Sequence, residues 1–273
     1  MSMDDNTFVY FEIPADDLGR ARKFYEELLG WQIISMSEQG YEGFEGYWSV
    51  LVSDDFADMQ GGMMERDETF AQPCFYIGVK SMDETVEKLQ ERGGSVVVPR
   101  TAVSDMGWSM LFRDPEGNVF GLWQTNPETE YEEGEEEASF PAIEETGGVT
   151  KNKLVHFEIP ADDVERARNF YQELFGWHIE SMSDQGFEGY WSVMVSDDEN
   201  DMNGGLSERH ASTPIPHFYI GVESMDQTLE KVRELGGTVE MAKDAIPGMG
   251  WLALFKDPEG NVFGLWQTDP EAR

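Results

Sequence analysis

One cysteine, Cys74, among 273 residues excludes an internal disulfide framework. Cations are scarce too: 19 Lys plus Arg stand against 55 Asp plus Glu, a formal net charge of −36 with a pI near 4.2. So strong a negative field repels nucleic acid and anionic lipid, and neither is expected as a partner. No apolar run approaches the roughly 20 residues that span a bilayer. The opening MSMDDNTF lacks the basic and apolar segments of a secretory leader, so the expected location is the cytoplasm. Histidine is limited to His156, His178, His210 and His217, all in the second half of the chain. Because imidazole is the usual metal ligand and neutral-pH acid or base, chemistry is expected there.

The chain is nonetheless 40% hydrophobic with eight Trp, and its apolar residues are periodic, which predicts a folded protein. FEIPADD occurs at Phe11–Asp17 and again at Phe157–Asp163, followed each time by RAR, FY, EL and GW. The spacing between copies falls from 146 residues (Phe11 to Phe157) to 143 (Met106 to Met249) after the segment around Tyr41–Glu45. Dense self-similarity with one small insertion indicates a tandem duplication. The expected domains are 1–125 and 152–273, joined by an acidic linker over 126–151 that contains EEGEEE.

Each copy reads as α+β, strand–helix–strands twice over. In copy two a strand from Lys153 ends at Pro160, Asp162 and Asp163 offer N-caps, and Val164, Ala167, Tyr171 and Leu174 recur at helical spacing up to Gly176. A second unit opens at His217, with a helix through Met225, Leu229 and Val232. DPEGN, before the last strand, predicts a turn. Strand alternation puts Val155, Phe157 and Ile159 on a helix-packed core face, and His156 and Glu158 opposite. Likewise Phe218 and Ile220 are core, with His217 and Tyr219 opposite. Two pseudo-equivalent strands thus aim His156 and His217 at one side of a sheet.

The paired βαβββ units, the FEIPADD…FY…GW opening and the closing DPEGNVFGLWQ resemble the vicinal oxygen chelate superfamily of glyoxalase I, extradiol dioxygenases and bleomycin-resistance proteins. The resemblance implies tandem glyoxalase-like domains, each a cupped mixed sheet with helices on the convex face, around a divalent metal (Zn, Ni, Fe or Mn). Carried over residue by residue, it implies metal ligands at His156 and His217. Gly205 and Gly264 stand where the carboxylate ligands of metal-dependent glyoxalases belong, and copy one has Tyr10, Gly62, Cys74 and Gly121 at the four places. The ligand set is therefore incomplete in both copies, and no cofactor is required by the sequence. Glu158 and its repeat counterpart Glu12 are candidates for a catalytic base or for binding. Tyr10, Tyr219, Trp191 and Trp251 are candidates for binding, the tryptophans equally for packing.

The expected function is small-molecule binding with a degenerate metal centre. A metal-dependent lyase or isomerase acting in copy two is the enzymatic alternative, and a non-catalytic domain pair the third. A monomer or a homodimer fits, since tandem copies already pair within one chain. The charge predicts a protein adapted to high salt, because the Debye length shrinks to about 3 Å at molar ionic strength and screens self-repulsion. Its melting temperature should rise from dilute to molar KCl; a flat profile would contradict this.

Overall fold

The computed structural model describes residues 5–41, 43–53, 58–104, 106–126, 152–198, 201–211 and 213–273. Nearly all of the 126–151 linker, and Glu199 of the acidic Asp197–Asp201 loop, lie outside the described residues. Copy one runs β1 (Asp5–Ala15), α1 (Leu18–Leu29), β2 (Gln32–Ser35), β3 (Tyr47–Leu51), β4 (Gln60–Glu65), then β5 (Cys74–Val79), α2 (Met82–Glu91), β6 (Ser95–Val103), β7 (Gly107–Arg113) and β8 (Val119–Thr125). Copy two repeats the order as β9 (Leu154–Ala161), α3 (Val164–Phe175), β10 (His178–Ser181), β11 (Tyr190–Met194), β12 (Gly204–Glu208), then β13 (His217–Gly221), α4 (Met225–Glu234), β14 (Thr238–Ile246), β15 (Gly250–Lys256) and β16 (Val262–Thr268). Each copy forms one eight-stranded mixed sheet, with strand orders β2-β3-β4-β1-β5-β8-β7-β6 and β10-β11-β12-β9-β13-β16-β15-β14. This is the paired βαβββ architecture that the sequence predicts.

Local chemistry sets the helix limits. The Asp163 carboxylate accepts the Arg166 amide at 3.0 Å and starts α3. Gly176, at φ 75°, ends it by donating to the Gln172 carbonyl. The helix buries Ala167, Phe170, Tyr171, Leu174 and Phe175. Removing such side chains from water contributes on the order of 2 kcal/mol each. Two strand expectations need correcting. Pro160 does not end β9, which continues to Ala161. The Pro160 carbonyl instead accepts the Asn118 side-chain amide at 2.9 Å. Val155, expected in the core, is 36% exposed, while Leu154 is buried. The regular alternation begins only where Phe157 enters the core.

Two compact units cut across the repeat. One joins the second half of copy one, from Cys74, to His156–Phe218 of copy two; the other joins Tyr10–Pro73 to Tyr219–Arg273. Within each, the DPEGN loop of one copy clasps the first helix of the other. In the first unit, Asp114 Oδ1 accepts the amides of Glu116 (2.9 Å) and Asn118 (2.8 Å), and Oδ2 accepts the Tyr171 hydroxyl at 2.6 Å. The Glu116 side chain, 0% exposed, accepts the Asp162 and Asp163 amides (both 2.9 Å) and the Arg166 guanidinium (Nη2, 3.0 Å). A carboxylate at a helix N-terminus answers unsatisfied N–H groups and the helix dipole together. The second unit repeats the clasp with Asp257, Glu259, Tyr25 and Arg20. Burial pushes Asp114 and Asp257 above the usual aspartate range, and their hydrogen bonds oppose the shift. Burial also holds Tyr25 and Tyr171 well above the ordinary tyrosine value, so both stay neutral donors.

The FY and GW motifs are explained by the same packing. Tyr171 stacks on Trp177 at 5.2 Å between centroids, and Trp177 donates its indole N–H to the Asn6 carbonyl at 2.7 Å. Tyr25 and Trp31 stack likewise at 5.4 Å in the second unit. Glu116→Ala should cost about 2 kcal/mol, because it strips the acceptor from two backbone amides and a half-exposed guanidinium. Urea unfolding in molar KCl measures this, and a loss below about 1 kcal/mol would show that the clasp is not holding the unit together.

Candidate functional site

The helix-free face of β9, β11, β12 and β13 carries the candidate site. In β9, Glu158 is in register with Gly205 of β12, which is in register with Ser192 of β11, so these three share a face. Ile159 registers with core Leu206 and falls on the other. His156 therefore shares the face of Glu158, as its alternation predicts. His156 Nε2 lies 3.1 Å from Glu158 Oε1 and 3.2 Å from the Tyr190 hydroxyl, which itself donates to Glu158 Oε1 at 2.9 Å. The cluster is partly shielded, with side-chain exposures of 33% for His156 and 15% for Glu158.

His217, in the same compact unit, is buried, and that burial lowers its pKa below the ordinary histidine value while the Glu158 charge pulls the other way. Its Nδ1 stands 3.2 Å from the Ile215 carbonyl. A carbonyl only accepts, so the proton sits on Nδ1 and the lone pair on Nε2. The neutral ring can thus accept a hydrogen bond without adding charge.

The other compact unit holds a counterpart. Tyr10 replaces the first histidine, and its hydroxyl lies 2.8 Å from that of Tyr47, which reaches Glu12 Oε1 at 3.3 Å. Burial raises the Tyr10 pKa, so the phenol stays protonated. Cys74, the repeat counterpart of His217, is buried and belongs to the first unit.

The tryptophans expected at the site lie on the other side of their strands. Trp191 is in register with Leu206, hence on the core face of Ile159. Trp251 is in register with Gln267, whose side chain accepts the first amide of α4, so this is the helix face. There Lys243 sits over the Trp251 ring at 4.5 Å and the indole N–H donates to Asp269 at 2.9 Å. Tyr219 keeps the helix-free face, opposite Gly264 in register.

The glycines at the four places of the resemblance all lie under tyrosines. A Cβ on Gly205 would sit 2.1 Å from the Tyr190 hydroxyl oxygen; one on Gly62 would sit 2.0 Å from that of Tyr47. On Gly264 and Gly121 it would meet the rings of Tyr219 and Tyr76 at 2.2 and 2.1 Å. The space a carboxylate ligand would enter is filled by phenol. His217 has a tautomer suited to ligation, but His156 Nε2 is engaged with Glu158 and Tyr190. Among the described residues no group of three or more His, Cys, Asp or Glu is placed to hold a metal ion. The residues present do not fit a divalent centre, which needs carboxylate neutralisation or more ligands than two imidazoles.

Sequence reasoning missed Tyr190 and Tyr47. The available signal was the YWSV repeated at both places, whose third residue is in register with the glycine and whose first shares its face. Gly205→Ala should push Tyr190 off Glu158 and destabilise the fold by about 1–3 kcal/mol. In a Tyr190→Ala background the cost should vanish, so a double-mutant cycle with strictly additive losses would contradict this packing.

Comparison with known proteins is consistent across the chain. Residues 153–265 match the model of the Glyoxalase/Bleomycin resistance protein/Dioxygenase superfamily, and residues 7–46 match the Bleomycin resistance protein-like N-terminal model. The chain is 27% identical over 271 residues to a putative glyoxylase, CFP32, of Mycobacterium tuberculosis, covering 96% of this chain and 95% of the relative. In structure it resembles the 2,3-dioxygenase LapB of Pseudomonas sp. KL28, with TM-score 0.63 and 16% identity over 100% of this chain and 95% of that one. It also resembles the Mn(II)-bound glyoxalase of Novosphingobium aromaticivorans, with TM-score 0.62 and 12% identity over 98% and 84%. Two family matches in register with two βαβββ sheets make this chain a tandem, two-domain member of the glyoxalase/bleomycin resistance/dioxygenase superfamily.

Proposed function

We propose that the chain is a small-molecule-binding protein of this superfamily, whose metal centre has given way to a hydrogen-bonded His156–Glu158–Tyr190 cluster. The observation that carries the reading is the Tyr190 hydroxyl, which lies over Gly205 and bonds Glu158 at 2.9 Å. In this reading Glu158 accepts from a ligand hydroxyl or amine, His156 orients that carboxylate, and neutral His217 supplies an acceptor on the same side. The negative field of the chain disfavours anionic ligands. Catalysis through a metal has no place in this reading.

The enzymatic alternative is a lyase or isomerase in which Glu158 takes a substrate proton beside His156 and His217. Likeness to a putative glyoxylase favours it. The two readings separate in one experiment on untagged protein in molar KCl. Binding reads out as a thermal shift with small aromatic or dicarbonyl compounds, worth about 2.7 kcal/mol at a hundredfold excess over Kd. Glu158→Gln should reduce that shift at least severalfold, and Ni²⁺, Zn²⁺, Fe²⁺ or Mn²⁺ should give none. A stoichiometric metal whose removal abolishes turnover would overturn the binding reading in favour of the lyase.

A further inference from the structure

A single arginine fixes the loop that leads into His217. The ring Nδ1 faces the Ile215 carbonyl at 3.2 Å, and Ile215 lies between Pro214 and Pro216. Pro216 restricts the Ile215 backbone to extended conformations, and Pro214 has its own φ fixed. The Pro214 carbonyl in turn accepts from Nη1 of Arg209. The same guanidinium reaches three further parts of the unit. Its Nε donates to Asp162 at 2.9 Å, and its Nη2 to the carbonyls of Glu116 at 2.7 Å and Pro160 at 3.2 Å. One planar fork therefore locks the loop before His217 against the strand that carries Glu158 and against the DPEGN clasp. All of these groups lie in one compact unit.

The repeat supplies an internal control. Arg66 makes the equivalent contacts in the other unit, to Asp16, Ala71, Pro14 and Glu259. There the loop leads to Cys74, and Ala71 takes the place of Pro214. The arginine is common to both copies, whereas the second proline stands only where a histidine follows.

We infer that Arg209 is a positioning residue for His217, which through the Pro214–Ile215 segment holds the imidazole proton on Nδ1 and keeps Nε2 an acceptor. The use of that acceptor in binding rests on the function proposed above; the tautomer does not. An imidazole released from the Ile215 carbonyl is free to carry its proton on Nε2 instead, which turns the acceptor into a donor and rejects a ligand hydroxyl proton. Lysine cannot replace the arginine, because one ammonium does not span Asp162 and the Pro214 carbonyl as a rigid fork does.

The test uses the full chain with isotope-labelled histidine, without ligand, in molar KCl at about pH 8, where His217 is neutral because burial lowers its pKa. Long-range nitrogen–proton spectra read the tautomer, with the His217 signals assigned by their loss in His217→Gln. The unaltered chain should show the Nδ1–H form. Arg209→Lys should lower the ratio of Nδ1–H to Nε2–H about fivefold, the value of one neutral hydrogen bond. Arg66→Lys should lower the melting temperature by a similar amount and leave the His217 ratio unchanged. An Nε2–H form in the unaltered chain would overturn the inference, whether or not the variants fold. So would a ratio that Arg209→Lys leaves untouched, or one that Arg66→Lys moves equally. Because no ligand is present, failure of the binding reading would leave each of these outcomes as it stands.

Discussion

A buried glutamate at the N-terminus of a helix ties half of one copy to half of the other within a compact unit. In a chain of net charge −36, Glu116 is sealed from water because two backbone amides and a guanidinium meet it. Its counterpart Glu259 does the same for the first helix of copy one. The carboxylate therefore ties a half of one copy to a half of the other, and the duplication becomes structural rather than additive. The clasp also reaches the site. Asn118 and Arg209 donate to the Pro160 carbonyl at 2.9 and 3.2 Å, two residues beyond Glu158 in the same strand. The strand that presents His156 and Glu158 is thus fixed at its end by the loop that joins the copies.

On that frame, four equivalent points share one packing pattern. Gly62, Gly121, Gly205 and Gly264 each lie against a tyrosine supplied by a neighbouring strand. A glycine there tolerates the close approach of a ring that any larger residue would block. The result is a tyrosine seated on each glycine, with the Tyr47 and Tyr190 hydroxyls bonding Glu12 and Glu158. The copies then differ in one decisive respect. His156 and His217 stand in copy two where copy one has Tyr10 and Cys74.

Much of this was readable from sequence, and the gaps have physical causes. The repeat, the βαβββ order, the Asp163 cap and the Gly176 stop are local, and local chemistry decides them. The shared face of His156 and Glu158 follows from strand alternation alone. Ring chemistry makes Trp191 and Trp251 candidates, yet register turns both toward the helices. DPEGN reads as a turn because its local role is a turn; that its Glu caps a helix of the other copy is a long-range fact. The tyrosine over each glycine is equally invisible without register, since Tyr190 and Gly205 meet only across a sheet. Pro160 stays in its strand because its carbonyl, not its missing N–H, makes the needed bonds.

The central claim is that phenol has replaced metal on the helix-free face of copy two. Its most direct test is a crystal structure grown in molar KCl with added Ni²⁺ or Mn²⁺, with anomalous data collected at the metal edge. The account predicts no anomalous peak within bonding distance of His156 or His217, and the Tyr190 hydroxyl still on Glu158. A peak held by both imidazoles, with Tyr190 swung away from Gly205, would contradict it.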